Sequence, residues 1–221
     1  MKEKISASQK ALNVWAIVLI MWSIYRANFG VSVQIEIDEF IIKPLFFILP
    51  VLWYTVKIEK KNFLHRINLH FKTLWLDMGI GIFCGSVFIL MGIVSYWMKH
   101  GFVLPEGGKT FLQASTLLLF TVSLATSISE EILSRGFVLT HLYEESKNKI
   151  NSIFISSVLF FFLHIPILFT QEHLSGQVLL HVMTMDIALS ITVSVLFFLR
   201  KNLLLPIIVH AFYSFAFNFF I

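Results

Sequence analysis

Ser129-Glu130-Glu131-Ile132-Leu133-Ser134-Arg135-Gly136 is the stretch whose reading decides the fold. From Phe111 to Ile128 no charged residue occurs, and Phe137-Val138-Leu139 restore the apolar character just after it. Two carboxylates and a guanidinium therefore interrupt a segment that otherwise reads as membrane-buried. Insertion scales put each such charge at mid-bilayer about 2.5 to 3.5 kcal/mol uphill. Three of them within about a turn and a half would be hard to tolerate facing lipid. They are expected to face other protein or a water-filled cavity, which makes them functional candidates.

Helix geometry sorts these charges. Glu131 and Arg135 stand four apart on one face, with the acid on the favourable N-terminal side of the pair. Glu130 is turned by about 100° and shares its face with Ser127, Leu133 and Ser134. Arg135 thus neutralises Glu131 and leaves Glu130 without a dedicated partner in its own helix. An unpaired carboxyl in an apolar setting has its charged form disfavoured, which suits it to proton transfer. The same residues also fit a purely structural ion pair with a spare carboxyl at a packing seam.

Composition agrees with a membrane setting. Of 221 residues, 57% are hydrophobic and only 14% charged, with a mean hydropathy of +0.81. Globular domains carry about 25% charged residues, so a soluble domain is excluded. The length accommodates roughly seven spans of about 20 residues. Five Trp and 24 Phe suit a lipid-facing surface with aromatic belts. The net charge of +4 is expected to mark cytoplasmic loops rather than a nucleic-acid surface. Cys84, the single cysteine, excludes an intrachain disulfide and reads as a small packing residue. No cleavable signal peptide is evident at the N-terminus.

The hydropathy pattern predicts one all-α membrane domain over 1–221, a polytopic bundle of about seven spans. They run near Ala11–Phe29, Phe40–Val56 (with Pro44 and Pro50 as kinks), Leu74–Met98, Phe111–Tyr143, Ile153–Phe169, Val178–Leu199 and Leu203–Ile221. The fourth exceeds 30 residues and must tilt, break or emerge. Lys99–Lys109, with Pro105, Gly107 and Gly108, reads as a loop. Gly81 and Gly85, in small-xxx-small spacing, predict close helix packing. Lys57–Lys72, with Phe63, Leu64, Ile67 and Phe71 at helical spacing, is expected along the membrane surface. Cations gather at the N-terminus, at Lys57–Lys72, at Lys147 and Lys149, and at Arg200 and Lys201. Seven spans with a cytoplasmic N-terminus put all four groups on the inside.

Two more ionisable residues fall deep in predicted spans: His164 within Phe160-Phe161-Phe162-Leu163-His164, and His210 shortly after Pro206. At 1.5 Å per residue from the proposed cytoplasmic ends, Glu130 and His164 lie roughly 20 Å deep and His210 about 10 Å. Lone membrane histidines commonly serve packing, but two of them with an acidic pair on another span point to chemistry. His181, Met183, Met185 and Asp186 are spaced unevenly around their helix and read as core and seam. His141, Glu144 and Glu145, at a helix end, are expected to be solvated, and Arg26 to snorkel to the interface.

Glu130-Glu131-x-x-x-Arg135-Gly136, Phe160-x-x-x-His164 and His210, in that order, resemble the EExxxR, FxxxH and HxxxN/D motifs of the Abi/CPBP family of intramembrane proteases. That family includes the Rce1-type CAAX prenyl endopeptidases. The motif-bearing region is about 110–221, and the three spans of 1–109 match in hydropathy alone and count as accessory. The resemblance implies that Glu130 and His164 activate a water, that Glu131 and Arg135 support them, and that His210 helps stabilise the oxyanion. Where the family has Asn or Asp, this chain has Ser214, with Asn218 one turn further on. Losing an oxyanion donor typically costs about 10²–10³ in rate.

The chemistry so implied needs no cofactor. The alternative is a divalent metal such as zinc on Glu130, His164 and His210, although no HExxH is present. The substrate expected is a peptide bond of a membrane-embedded, membrane-associated or prenylated protein or peptide, cut from a cytoplasm-facing cavity. The partners are that substrate and the lipid bilayer, with no nucleic acid. Size and an Ile/Lys/Phe-rich composition lean towards a bacterial cell membrane. The competing reading is a non-catalytic membrane protein, a bacteriocin self-immunity factor or a transporter, using the same charges as a relay or packing network.

Overall fold

The computed structural model describes residues 5–29, 32–101, 114–170 and 176–220. Most of the expected Lys99–Lys109 loop and the expected start of the fourth span at Phe111 lie outside the described residues. Among those described, the elements are all helical: α1 (Ala7–Phe29), α2 (Ile35–Ile58), the one-turn α3 (Phe63–Arg66), α4 (Leu74–His100), α5 (Ser115–Ser146), α6 (Lys149–Thr170), α7 (Gly176–Arg200) and α8 (Leu204–Phe220). Six are long and apolar enough to cross a membrane, and α8 is a shorter apolar helix. The protein is an all-α polytopic bundle, as its hydropathy predicts.

α5 is the axis around which the others pack. Half of its apolar window is buried, against 17% for α4, which presents Trp75, Phe83 and Met98 outward. The reason lies in the side chains. α5 is rich in small hydroxyl residues, and buried Ser123, Ser127, Ser129 and Ser134 let neighbouring helices approach closely. Their hydroxyls are partly satisfied within the helix, as where Ser127 Oγ donates to the Ser123 carbonyl at 2.7 Å. The long fourth span does not break. From Ile132 to Leu139 it widens into a π-helical stretch in which every residue is buried. Such widened turns in membrane helices often mark functional segments. At Gly136, inside this stretch, an added Cβ would come within 2.9 Å of Ile67 Cβ and 3.3 Å of Leu203. Only a glycine lets those two side chains close down on the backbone there.

The expected small-residue seam holds α4 against α8. A Cβ on Gly81 would meet Ile208 Cγ2 at 2.8 Å, and one on Gly85 would meet Phe212 Cγ at 2.6 Å. Half-buried Cys84 packs beside this seam against Leu189, Val193, Leu205 and Val209. α2 runs on through Pro44 and Pro50, with π-type turns at Asp38–Ile42 and Tyr54–Ile58 on either side. Widened turns accommodate the hydrogen bonds that proline removes.

The bundle has two distinct ends. At the first, Ser8 N donates to Glu145 Oε2 at 2.9 Å, tying the start of α1 to the finish of α5. Arg66 is buried there, and its guanidinium reaches Glu59 Oε2 and Glu144 Oε1, each at 2.7 Å. His141 Nε2 lies 3.0 Å from Glu59 Oε1 and 2.7 Å from Arg66 Nη2. Asp77 binds Arg200 Nε at 2.8 Å and Asn202 Nδ2 at 2.7 Å. Two expectations are corrected here. The Lys57–Lys72 stretch does not simply lie along a surface: Asn62 caps α3, and Ile67 and Arg66 are driven into the bundle. His141 is fully buried rather than solvated, because Arg66 and Glu59 take up its polar edge. Burial pushes the Glu59 carboxyl up, but the hydrogen bonds and charge of Arg66, with His141 adding to them, outweigh it and hold Glu59 below its ordinary value.

Candidate active site

The other end of the bundle holds the cavity. It encloses about 370 Å³ and is lined by residues from α1, α2 and α5 through α8, with Glu130, His164, Asp186 and His210 on its walls. Each of these side chains is delivered by local geometry. Glu130 is the last residue but one of the α-helical part of α5, two before the π turn. His164 stands four residues after Phe160, so the two rings lie 4.6 Å apart on one face of α6. The Phe160 ring also lies 5.7 Å from His210 and 4.3 Å from the Arg135 guanidinium. One aromatic plate thus supports three site residues, which gives the phenylalanine of F-x-x-x-H a physical reason.

The expected Glu131–Arg135 pair forms, with Arg135 Nη1 2.7 Å from Glu131 Oε1 and both side chains fully buried. A buried ion pair is tolerable when its remaining donors find acceptors. Arg135 Nη2 reaches Ser190 Oγ at 2.7 Å and the Ser190 carbonyl at 3.1 Å, and Nε reaches Ser194 Oγ at 3.4 Å. Glu131 Oε1 also lies 2.8 Å from His210 Nδ1. An ionised carboxylate only accepts, so His210 Nδ1 carries a proton and Nε2 faces the cavity. His164 is oriented the same way, since its Nδ1 donates to the Phe160 carbonyl at 3.1 Å. The two Nε2 atoms converge on one oxygen. Glu130 Oε2 stands 3.4 Å from His164 Nε2 and 3.7 Å from His210 Nε2, buried and with no hydrogen-bond partner.

Glu130 is not alone, which corrects the expectation of an uncompensated carboxyl. Lys43 Nζ, from α2, sits 2.7 Å from Glu130 Oε1 with the lysine almost wholly buried. The same ammonium lies 3.1 Å from Glu39 Oε2, and Thr126 Oγ1 donates to that oxygen at 2.6 Å. The sequence reading missed Lys43. The available signal was a lysine inside an apolar span, four residues after an acid. The N-terminal spans, expected as accessory, therefore supply a direct partner of the central carboxylate.

Three more placements differ from expectation. Arg26 does not snorkel: its Nη1 pairs with Asp38 Oδ2 at 2.7 Å, and both residues line the cavity. Asp186, expected at a seam, is buried and lines the cavity too, with Tyr213 Oη donating to it at 3.4 Å. His181 and Met185 border a separate apolar hollow. Ser214 and Asn218 both line the main cavity, one turn apart on α8. Among the described residues, no three His, Cys, Asp or Glu side chains are grouped to hold a metal ion.

The polytopic bundle thus brings one carboxylate and two imidazoles together on the wall of a single cavity. Residues 112–216, just under half of the chain, match the Rce1-like family model, described as type II CAAX prenyl endopeptidase Rce1-like. Over those residues the chain is similar to that protease family, and its apolar helices make it a multi-pass membrane protein. The matched region takes in α5 to α7 and α8 as far as Ala216, so Glu130, His164, His210 and Ser214 fall inside it while Lys43 and Asn218 fall outside. No curated protein and no solved structure matches the chain.

Proposed function

We propose that this protein is an intramembrane endopeptidase that hydrolyses a peptide bond of a membrane-associated or lipid-modified protein, using a water activated by Glu130 and His164. The observation that carries the reading is the convergence of His164 Nε2 and His210 Nε2 on the unpartnered Glu130 Oε2 inside the cavity. A water held beside Glu130 Oε2 and His164 Nε2 gives up a proton to this pair as its oxygen attacks the scissile carbonyl carbon. The carbonyl oxygen becomes the oxyanion. His210 is placed to hold it from Nε2, and because its Nδ1–H is committed to Glu131, it donates from Nε2 only as an imidazolium. Ser214 Oγ offers the second donor, with Asn218 one turn beyond. Collapse of the tetrahedral species breaks the C–N bond, and the proton taken from water passes to the leaving amine.

The reading uses no metal. Lys43 supports this, since a divalent ion on Glu130 would sit against an ammonium 2.7 Å from the same carboxylate. The test is cleavage of a lipid-modified reporter peptide by purified protein in detergent micelles. Wild type is expected to cleave with or without a chelator, and Glu130→Gln and His164→Ala are expected to be inert. Cleavage by both variants at the wild-type rate sinks the hydrolase reading, and activity that disappears with the chelator and returns with zinc sinks the metal-free one.

A further inference from the structure

We infer that the catalytic cavity opens on the extracytoplasmic side of the membrane, opposite to the side expected from the sequence, so that the substrate bond is one presented at the outer half of the bilayer. The inference rests on the hydrolase reading for the word substrate, but its geometry stands without it.

The two ends of the bundle can be told apart by their contacts. The first gathers Ser8, Arg66, Glu144, Glu145, Asp77 and Arg200 through direct bonds. The second joins Arg26 to Asp38 and Glu39 to Thr126. The cavity belongs to the second, since Arg26, Asp38, Glu39 and Thr126 all line it, together with Val33 from the α1–α2 connection and Ile35 at the start of α2. Distances along the helices agree. His164 is six residues, about 9 Å, from Thr170 but fifteen, about 22 Å, from Lys149. Lys43 is eight residues, about 12 Å, from Ile35 and about 22 Å from Ile58. Asp186 lies ten residues from Gly176 and fourteen from Arg200. His210 alone sits nearer the first end, and its ring faces Glu130.

The first end is closed. Every residue of Ile132–Leu139 is buried, Ile67 and Leu203 press on Gly136, and the buried Arg66 and His141 knot lies beyond them. This leaves no wet route from that end to Glu130 through the described residues of α5.

Charge then says which end faces which compartment. Among the described residues, Lys and Arg gather at the closed end: Lys57, Lys60, Lys61, Arg66 and Lys72 before α4, Lys147 and Lys149 at the α5–α6 turn, and Arg200 and Lys201 at the α7–α8 turn, besides Lys10 near the start of α1. Among the described residues the cavity end carries Lys99, near the end of α4, with Arg26 already neutralised by Asp38. Cation excess in short connections marks the cytoplasmic face. The closed end is therefore inside and the cavity mouth outside. A soluble cytoplasmic tail has no access to Glu130 from its own side; an exported peptide or an outer-leaflet juxtamembrane segment does.

Thiol accessibility tests this without any need for catalysis. In a Cys84→Ser background, Ile35→Cys and Asn218→Cys probe the cavity end, and Lys61→Cys the closed end; Ile35, Asn218 and Lys61 are all exposed. A membrane-impermeant maleimide is applied to spheroplasts and to inverted membrane vesicles from cells making each variant. Expected is labelling of Ile35→Cys and Asn218→Cys in spheroplasts and of Lys61→Cys in inverted vesicles. The reverse pattern, or labelling of Asn218→Cys only in inverted vesicles, overturns the orientation. The same labelling in a Glu130→Gln protein separates the two proposals. A reversed pattern leaves the hydrolase reading intact, and a failed cleavage assay leaves the orientation intact.

Discussion

At one end of the bundle Arg66 is held by two carboxylates and an imidazole; at the other Glu130 is held by one ammonium and keeps an oxygen free. Both ends bury charges that lipid would reject, and both draw partners from helices far apart in sequence. In the Arg66 knot the guanidinium is met by Glu59, Glu144 and His141, and the surrounding volume is filled. Around Glu130 the pairing stops one acceptor short, and the gap is a cavity lined by two imidazole edges. A saturated network holds helices together. One left open at a single oxygen can take a proton from water.

The sharpest way to break this contrast is to remove the open acceptor. Glu130→Gln keeps the shape of the side chain and is expected to lower the cleavage rate by about 10³-fold or more, within the range general-base catalysis supplies, while the protein still melts cooperatively in detergent. Lys43→Ala strikes the same carboxylate through its partner. It leaves a buried anion with only imidazoles near it and is expected to cost about 3 to 5 kcal/mol of stability. The Lys43→Ala/Glu130→Gln double variant is expected to recover much of that loss, and strict additivity in this cycle would contradict a direct pair.

At the closed end, Arg66→Ala is expected to cost about 2 kcal/mol, less than the roughly 3 to 5 kcal/mol of breaking a fully buried pair, because Glu144 is about half exposed and its share is screened. Cleavage per folded molecule should be unchanged; a loss of rate there would blur the distinction between the two ends. Ser214→Asn sharpens the open end instead. A longer amide donor is expected to raise the rate about tenfold, a fraction of what a full oxyanion donor contributes, with no change in melting temperature.

The smallest effect expected is one of pH. Glu59 in the folded protein holds its proton less tightly than in the unfolded chain, so its contribution is present above its unfolded value near 4.5 and is lost as the pH falls through its lower folded value. Melting temperature should therefore decline below about pH 4.5, and Glu59→Gln should make that slope shallower.

Much of this was legible in the chain as written because it is local. The Glu131–Arg135 pair, the stacking of Phe160 on His164 and the Gly81–Gly85 seam all follow from helical periodicity, which fixes neighbours three and four residues apart whatever the rest of the fold does. The number of spans follows from runs of apolar residues measured against a bilayer. His141 and Arg26 were misjudged for one shared reason. Each sits near a helix end, where sequence alone suggests solvent, and each is covered by a partner that arrives from another helix.

The sequence by itself determined the membrane bundle, the carboxylate and imidazoles that could react, and the asymmetry of cations between its ends, since hydropathy, helical period and loop charge are properties of short stretches. Only the tertiary structure decided that Lys43 meets Glu130, that Asp186 and Arg26 line the same chamber, and that this chamber lies at the cation-poor end. These residues lie far apart in the chain, and they are brought together by how α1, α2, α5, α6, α7 and α8 pack, which no local pattern records.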